Sequence, residues 1–282
     1  MVDVIITGAG GFIGKALESR LFDLGVRSLS YHRTHGDITN ERFWDALPKA
    51  NSVIHLAGRS FVPDSWGERT DFYRCNGLGT ENALRYCRKH SASLILASTY
   101  VYGAPQYLPI DEKHPVAPSN PYALSKCMAE QLCEFASRVD SIPTTSLRLF
   151  NVFGPGQKST FLIPSIVNNI INDNKIQVMD LSPKRDYVFI DDVVDAFYKA
   201  ISLSDGHHIF NIGSGVSHSV ECVINIAQKL AKTNKPVLSQ CTHRKNEIFE
   251  VVADIKSANA LLNWRPKYTI EDGLKMMIEG HL

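Results

Sequence analysis

Near its start the chain reads Thr7-Gly8-Ala9-Gly10-Gly11-Phe12-Ile13-Gly14, between the apolar run Val2–Ile6 and a helical pattern over Ile13–Leu24. Glycines at such a junction permit a tight turn, a close approach of the backbone to a pyrophosphate, and close packing of the helix on the strand. The start of the helix offers unpaired N–H groups and a positive dipole end to phosphates. We therefore predict a dinucleotide site at this turn, which contains Gly8, Gly11, Phe12, Ile13 and Gly14.

The first half of the chain alternates short apolar runs with helical stretches, which is typical of a parallel sheet covered by helices. Strands are predicted over Val2–Ile6, Ser28–Tyr31, Ser52–Leu56, Leu94–Ala97 and Thr144–Leu149. Helices are predicted over Ile13–Leu24, Asn40–Leu47, Asp71–Lys89 and Tyr122–Val139. The apolar runs lack period-two alternation, as expected where both faces of the sheet are buried. The predicted fold class is α/β, with a Rossmann-type doubly wound parallel sheet.

The regular alternation of apolar runs and helical stretches ends after about Asn151. Loops with Pro and Gly, such as Gly154-Pro155-Gly156, separate predicted helices over Ile163–Asn172 and Val220–Thr233. No linker marks an independent unit. We predict that residues 1–150 mainly form the NAD(P)-binding Rossmann domain, and that residues 151–282 mainly form a smaller C-terminal substrate-binding lobe interleaved with it.

The end of the second predicted strand bears on the choice of cofactor. Tyr31-His32-Arg33 places no acid where a carboxylate would hold the adenosine ribose, and Arg33 suits a 2′-phosphate instead. Arg33 can equally be a solvated loop cation, so NADP and NAD both stay open. Further along, Asp37 and Ile38 could bracket the adenine, and the small residues in Leu56-Ala57-Gly58 would let the cofactor lie against the backbone.

Tyr122 and Lys126 are candidates for proton transfer. On a helix their spacing places phenol and ammonium on one face, about 5–6 Å apart at Cβ. A phenol has a reference pKa of about 10, and a nearby cation favours the phenolate. Ser98, at the end of the fourth predicted strand, could hold the reacting oxygen. These groups could move a proton while a nicotinamide moves a hydride.

Composition excludes several classes of protein. Among 282 residues, 30 Lys and Arg face 29 Asp and Glu, so no general field attracts nucleic acid or an anionic membrane. No apolar run approaches the roughly 18 residues of a membrane span, and no signal peptide is expected. No residue cluster has metal-ligand spacing. The cysteines form no CxxC pair, which favours reduced thiols and the cytoplasm; they are Cys75, Cys87, Cys127, Cys133, Cys222 and Cys241.

Taken in order, these motifs resemble the extended short-chain dehydrogenase/reductases, and within them the nucleotide-sugar epimerases, dehydratases and ketoreductases. The resemblance covers essentially the whole chain. It rests on Gly8–Gly14, Ser98, Tyr122 with Lys126, Leu149-Phe150-Asn151-Val152-Phe153-Gly154-Pro155, and Arg185-Asp186-Tyr187.

The resemblance implies a role for each of these residues. Tyr122 would be the acid/base, Lys126 would hold the nicotinamide ribose and lower the pKa of the phenol, and Ser98 would bond the sugar oxygen. The implied cofactor is NADP or NAD, and Asn76 joins its contacts beside Tyr122 and Lys126. The implied contacts with a nucleotide-sugar substrate are Ser98, Thr99, Asn151, Arg185 and Arg244. A homodimer built on a four-helix bundle is also implied, with apolar residues Leu78, Leu84, Met128, Leu132 and Phe135 at the contact.

One departure from the family bears on the reaction. Family dehydratases carry an Asp-Glu pair directly after the Ser98 position, where this chain has Thr99 and Tyr100, so dehydration is disfavoured. We expect hydride transfer at C4 of a nucleoside-diphosphate hexose, narrowly as a 4-ketoreductase of an NDP-4-keto-(6-deoxy)hexose. The alternatives are an NDP-hexose 4-epimerase with tightly bound NAD and a non-catalytic NAD(P)-binding regulatory protein.

Overall fold

A six-stranded parallel sheet lies at the centre of the protein, in a computed structural model that describes residues 2–240 and 248–280. Arg244 and Cys241 lie outside the described residues. In chain order the described strands are β1 (Val2–Thr7), β2 (Ser28–Tyr31), β3 (Ala50–His55), β4 (Ser93–Thr99), β5 (Thr144–Leu149), β6 (Asn151–Phe153), β7 (Ile176–Val178), β8 (Lys184–Phe189), β9 (His207–Ile212), β10 (Ser217–Ser219) and β11 (Val237–Ser239). The described helices are α1 (Phe12–Asp23), α2 (Glu41–Asp45), α3 (Val62–Ser65), α4 (Arg69–Tyr73), α5 (Gly79–His90), α6 (Pro121–Asp140), α7 (Leu162–Asn172), α8 (Ile190–Ala200), α9 (Val220–Leu230), α10 (Lys256–Leu262) and α11 (Ile270–Glu279).

The strand order of the central sheet is β2-β1-β3-β4-β5-β9, with every neighbouring pair parallel. The order reverses at β1, which β2 and β3 flank. Thr7, the last residue of β1, pairs with Tyr31 on one side and His55 on the other, so three strands end together. A ligand crosses an open α/β sheet at such a switch point. The predicted Rossmann-type doubly wound fold is confirmed.

Helices cover both faces of this sheet, which explains the continuous apolar runs. Ile5 and Ile6 are fully buried on opposite faces, because successive side chains of a strand alternate. Ile6 packs in a cluster with Leu17 of α1 and Phe197 of α8. On the other face Ile5 packs with α2, α5 and α6.

The C-terminal half contributes to the central sheet as well as to smaller sheets. Its strand β9 pairs with β5 at one edge. The strands β10, β8 and β6 form a three-stranded sheet, and β11 pairs with β7. Buried Asp186 of β8 accepts hydrogen bonds from the backbone nitrogens of Ser214, Gly215 and Ala253, which ties three segments of this half together.

The helix predicted over Asp71–Lys89 forms, but its hydrogen-bonding pattern changes along its length. The chain stays helical through α4, a π-helical turn over Arg74–Leu78, and α5. The turn contains Asn76, whose carbonyl oxygen accepts a hydrogen bond from the Thr80 hydroxyl at 2.7 Å. Such π-turns often occur at functional sites, and this one brings the Asn76 side chain to the loop that follows β3. Among residues 2–240 and 248–280, no helix has the length and apolar character that crossing a bilayer requires.

Candidate active site

The glycine turn after β1 leaves no room for side chains at two positions. Gly8 has φ +75°, a conformation that favours glycine, and a Cβ there would lie 2.5 Å from the backbone nitrogen of Ala57. A Cβ at Gly14 would lie 2.4 Å from the carbonyl oxygen of Gly8. The turn therefore brings backbone, and not side chains, to the ends of β1 and β3.

The first turn of α1 is open to an anion. Gly11 is the N-cap residue, no side chain caps the helix, and no acid lies in its first turn. Phe12 and Ile13, which begin α1, are half-buried. Helix N–H groups without side-chain partners and the positive dipole end suit a pyrophosphate. The residues present thus fit the phosphates of a dinucleotide.

Asn76 fixes the loop after β3. Its side-chain oxygen accepts from the Arg59 nitrogen at 2.8 Å, and its amide donates to the Arg59 carbonyl at 3.0 Å and to the Ser125 hydroxyl at 2.7 Å. Both amide hydrogens are therefore used within the protein. Asn76 holds Leu56-Ala57-Gly58 against α6, and its predicted contact with the cofactor stays a prediction.

Tyr122 and Lys126 lie on the first two turns of α6, as the sequence predicts. The start of α6 is fixed by its N-cap, because the Asn120 side chain accepts a hydrogen bond from the Ala123 nitrogen and Pro121 occupies the first helical position. Lys126 Nζ donates to the Ala97 carbonyl at 2.9 Å and lies 3.4 Å from where a Cβ on Gly58 would be. The ammonium therefore lies between the ends of β3 and β4. Burial lowers the pKa of Lys126 to about 8.

The Tyr122 phenol meets Thr99. Burial raises the pKa of Tyr122, and a hydrogen bond with the Thr99 side chain opposes that increase. Phe72 packs edge-on against the Tyr122 ring, with 6.3 Å between ring centroids. The effect of Lys126 on the phenol, which the family resemblance implies, stays a prediction.

Ser98 faces a buried ion pair. Its hydroxyl donates to Glu130 Oε1 at 2.5 Å, and the Glu130 carboxylate also accepts from Arg148, whose Nη2 lies 2.7 Å from Oε2. All three residues are buried. Sequence reasoning missed Glu130 and Arg148. One signal was available: a cation in the middle of the predicted buried strand Thr144–Leu149 requires a buried partner.

The described substrate residues that were predicted lie at the end of β4 and on β6 and β8. Thr99 is half-buried, and Asn151 is exposed and donates to the Asp186 carbonyl at 3.3 Å. Arg185 Nη1 donates to the carbonyls of Lys184 and Ile248, at 2.8 and 2.6 Å. The position predicted for Arg244 lies outside the described residues.

Two histidines flank Arg33 at the end of β2. The backbone nitrogen of His32 donates to His35 Nδ1 at 3.0 Å, and the backbone nitrogen of His35 donates to the His32 carbonyl at 2.9 Å. Arg33 is exposed between them. A Cβ on Gly10 would lie 2.9 Å from His32 Nδ1, so this turn borders the glycine loop.

Asp37 and Ile38 follow the histidine turn. Asp37 Oδ1 accepts from the Thr39 nitrogen at 2.8 Å, and this hydrogen bond lowers the pKa of the carboxyl. Ile38 is buried and would collide with a Cβ on Gly79, which lies within 2.6 Å of its Cδ1. Both residues lie beside the predicted adenosine end of the site.

A family model agrees with this geometry. The model of the NAD dependent epimerase/dehydratase family matches residues 4–213. The chain belongs to this family. The expected enzyme class and the expected dependence on a nicotinamide cofactor are thereby confirmed.

Individual relatives match over nearly the whole chain. A GDP-6-deoxy-D-mannose reductase of Pseudomonas aeruginosa is 29% identical, with 98% of this chain and 95% of the relative covered. A UDP-glucose 4-epimerase of Halalkalibacterium halodurans is 26% identical, with 98% and 93% covered. The chain is thus similar to reductases and epimerases of nucleotide sugars.

Solved structures agree in fold. The structure of RMD from Pseudomonas aeruginosa complexed with NADPH has a TM-score of 0.91 and 27% identity, with 99% of this chain and 98% of that chain covered. MoeE5 in complex with UDP-glucuronic acid and NAD has a TM-score of 0.91 and 28% identity, with 98% of each chain covered. Both forms of the nicotinamide cofactor therefore occur among the neighbours.

Proposed function

We propose that the protein reduces the C4 ketone of an NDP-4-keto-(6-deoxy)hexose, with NADPH as the preferred reductant. The observation that carries this choice is the turn His32–His35, which borders Gly10 and presents Arg33 without a carboxylate at the end of β2. Arginine binds phosphate oxygens through its fork of donors, whereas a ribose diol calls for an acid. The similarity to a GDP-6-deoxy-D-mannose reductase and to a structure with NADPH supports the same choice.

Tyr122 is the proposed proton donor. When bound, the nicotinamide supplies the hydride to the ketone carbon. Tyr122 then gives its phenolic proton to the ketone oxygen, and the raised pKa of Tyr122 keeps that proton in place at neutral pH. Lys126, positioned between β3 and β4, holds the ribose and stabilises the phenolate that remains.

Elimination of water is disfavoured by the residues next to this site. Thr99 and Tyr100 occupy the positions of the dehydratase acid pair. Burial raises the pKa of Tyr100 to about 12, and its hydroxyl donates to the Gly103 carbonyl. The Tyr100 phenol therefore stays protonated at neutral pH and cannot act as the base of an elimination.

The substrate's nucleotide is proposed to lie along the C-terminal half. Asn151 and Arg185 lie on β6 and β8, which form one small sheet beyond the carboxyl edge of β5. This supports the division into a cofactor part, residues 1–150, and a mainly substrate-binding part, residues 151–282. Arg185 and Arg244 are the proposed contacts of the diphosphate.

A 4-epimerase is the second candidate. The similarity to a UDP-glucose 4-epimerase over 98% of the chain supports it, because an epimerase uses the same proton-transfer residues twice. Such an enzyme oxidises C4, turns the keto-sugar over and reduces its other face, so the cofactor stays bound through the cycle.

One experiment distinguishes the two candidates. The purified protein is denatured and its released nucleotide is identified, and NADPH consumption is then followed with GDP- and dTDP-4-keto-6-deoxyhexoses. Turnover that consumes one NADPH per sugar supports the reductase. Retained NAD, together with interconversion of UDP-glucose and UDP-galactose without added cofactor, overturns it in favour of the epimerase.

We further infer a homodimer with its contact on α6. Apolar side chains at helical spacing remain exposed along one face of this helix, and Phe135 is 53% exposed. The exposed members of this stripe are Leu124, Met128, Phe135 and Val139. Leu78, the last residue of the π-helical turn before α5, is also exposed, whereas Leu84 is fully buried in the core, so its expected place at the contact is wrong. A second copy of the stripe is the proposed cover, since one α6 can pack on another across a two-fold axis.

The thiols support a reducing compartment such as the cytoplasm. Every cysteine among the described residues is free, and Cys87 and Cys133 are buried. Burial raises the pKa of both thiols, so they stay as inert protonated groups.

A further inference from the structure

The loop after β3 holds Arg59 at both of its backbone groups. The Arg59 nitrogen donates to the Asn76 side-chain oxygen at 2.8 Å, and the Arg59 carbonyl accepts from the Asn76 amide at 3.0 Å. Asn76 is itself buried. Because Arg59 directly follows Gly58, its side chain extends from a fixed point next to the residues proposed to contact the cofactor.

The side chain of Arg59 reaches α4. Its guanidinium forms ion pairs with Glu68 and with Asp71, whose Oδ2 lies 3.4 Å from Nη1. The Cζ atom lies over the ring of Phe72, 4.8 Å from the ring centroid. A guanidinium can make both kinds of contact at once, because its N–H groups point outward in its plane while its face stacks on a ring. Arg59 thus ties the ring of Phe72 to the loop after β3.

The helix α4 depends on such contacts for its position. It has five residues, and its N-cap residue Glu68 makes no side-chain cap hydrogen bond. A helix of this length is not stable by itself in water, so packing has to hold it. Phe72 is the buried residue of α4, with 1% of its surface exposed. The position of α4 is therefore set in part by the contact between Arg59 and Phe72.

Phe72 also contacts the proposed proton donor. The ring centroids of Phe72 and Tyr122 are 6.3 Å apart, and the ring planes make an angle of 75°. Aromatic rings prefer this edge-to-face arrangement. The bond from Lys126 to the Ala97 carbonyl fixes the helix α6, but the direction of the Tyr122 ring depends on side-chain packing. The hydroxyl lies at the far end of that ring, so a small rotation displaces the proton that must meet the ketone oxygen.

We propose that Arg59 is a positioning residue, which through Phe72 holds the Tyr122 ring in the direction that proton transfer requires. The inference rests on the proposed function, in which Tyr122 is the proton donor. Because Arg59 directly follows Gly58, one residue connects the loop proposed to contact the cofactor with the packing of the phenol. The nicotinamide and the Tyr122 hydroxyl are thereby held in a fixed relation to each other.

The kinetic test compares Arg59→Gln with Arg85→Gln. Arg85 is the matched control, because it also pairs with two carboxylates and its side chain is 34% exposed, against 33% for Arg59. In the reduction of a 4-keto sugar nucleotide, Arg59→Gln lowers kcat about 10- to 100-fold with KM nearly unchanged, since a misplaced proton donor slows the chemical step and not binding. Arg85→Gln changes neither constant. Equal kcat values in the two variants overturn the proposal.

A double-mutant cycle tests whether Arg59 acts through Phe72. Phe72→Leu removes the ring between Arg59 and Tyr122 and lowers kcat by itself. Adding Arg59→Gln to Phe72→Leu then lowers kcat by less than about twofold more, because the two residues belong to one chain of contacts. Phe210→Leu controls for lost core packing, since Phe210 of β9 is also 1% exposed, and it retains kcat. A double variant in which the two single losses multiply overturns the proposal.

Fluorine NMR of protein labelled with 3-fluorotyrosine tests the same contacts without turnover. The resonance of Tyr122 is the one that disappears in Tyr122→Phe. Arg59→Gln shifts or broadens this resonance, Arg85→Gln leaves it in place, and Arg59→Gln has no further effect once Phe72 is replaced by leucine. An unchanged Tyr122 resonance in Arg59→Gln overturns the proposal. Absence of turnover in the unsubstituted protein with every 4-keto sugar nucleotide would instead count against the proposed function, and the spectra would still decide the role of Arg59.

Discussion

Lys126 Nζ donates a hydrogen bond to the carbonyl oxygen of Ala97 at 2.9 Å, so the end of β4 holds the proposed catalytic ammonium. The lysine side chain is 5% exposed, and burial lowers its pKa to about 8. A lysine is charged below its pKa. The cation that we propose to stabilise the Tyr122 phenolate is therefore present at neutral pH and is lost as pH rises through about 8.

The first prediction is a pH profile. In the reductive direction kcat/KM stays level at neutral pH and falls above pH about 8, because Lys126 loses its proton while Tyr122, whose pKa burial raises, keeps its own. Steady-state rates over a pH series measure this. Lys126→Arg keeps its charge through this range, so whatever its absolute rate, the alkaline fall is absent. A rate that rises through pH 8 in the unsubstituted protein contradicts the assignment.

The second prediction concerns stability. The pKa of Lys126 is lower in the folded state than the ordinary lysine value of 10.5, so at neutral pH the folded protein bears the free-energy cost of a buried charge. Lys126→Met removes that cost and raises the free energy of unfolding by about 3 kcal/mol at pH 7, while turnover is lost. The gain shrinks as pH rises from about 8 towards 10.5, where the unsubstituted lysine is neutral in the folded state as well.

Urea unfolding at neutral and alkaline pH measures the second prediction. Lys175→Met is the matched control, because Lys175 is exposed and its substitution leaves stability within about 0.5 kcal/mol. Equal stability changes in the two variants would contradict the buried-charge argument.

The third prediction separates backbone strain from cofactor binding. Gly8 and Gly25 have nearly the same φ, +75° and +70°, but a Cβ on Gly8 meets Ala57 whereas a Cβ on Gly25 meets nothing within 4 Å. Alanine at either site carries a left-handed penalty of about 1–2 kcal/mol. Only Gly8→Ala also abolishes NADPH binding, measured by the fluorescence of the bound nucleotide. Comparable NADPH affinity in both variants would show that Gly8 is not part of the cofactor site.

Patterns of one or two residues could be predicted from the sequence because their physical cause is local. The turn at Gly8–Gly14 requires glycine at fixed positions, and the spacing of Tyr122 and Lys126 follows from helix geometry. The parallel sheet follows from apolar runs without alternation. For these features, the structure differs from the sequence prediction mainly by a few residues at element ends.

Contacts between distant segments could not be predicted in the same way. Ser98 and Glu130 are 32 positions apart, and nothing local indicates that the hydroxyl points at that carboxylate. The same holds for Asp186, whose carboxylate accepts hydrogen bonds from the backbone nitrogens of Ser214 and Ala253. The π-helical turn inside the predicted helix over Asp71–Lys89 contains Asn76, which bonds a loop and a second helix. Tertiary contacts override local propensity at each of these places.

The fourth prediction tests the dimer. Phe135→Glu places a charge in the centre of the exposed α6 stripe and converts the dimer to a monomer, because an unpaired charge in an apolar contact is costly. Phe22→Glu is the control, since Phe22 is 81% exposed on α1, on the opposite face of the sheet. Light scattering after gel filtration measures both masses. A monomeric unsubstituted protein, or equal masses of the two variants, contradicts the proposed interface.

The fifth prediction concerns cofactor choice. Arg33→Ala raises KM for NADPH by about 10- to 100-fold, the loss expected when a hydrogen bond to a charged phosphate disappears. KM for NADH stays nearly unchanged, because NADH carries no 2′-phosphate for Arg33 to contact. Arg42→Ala, an exposed site on α2, is the matched control and changes neither constant. Equal weakening of NADPH and NADH in Arg33→Ala would show that Arg33 supports the adenosine end in general, and that the turn His32–His35 does not select the 2′-phosphate.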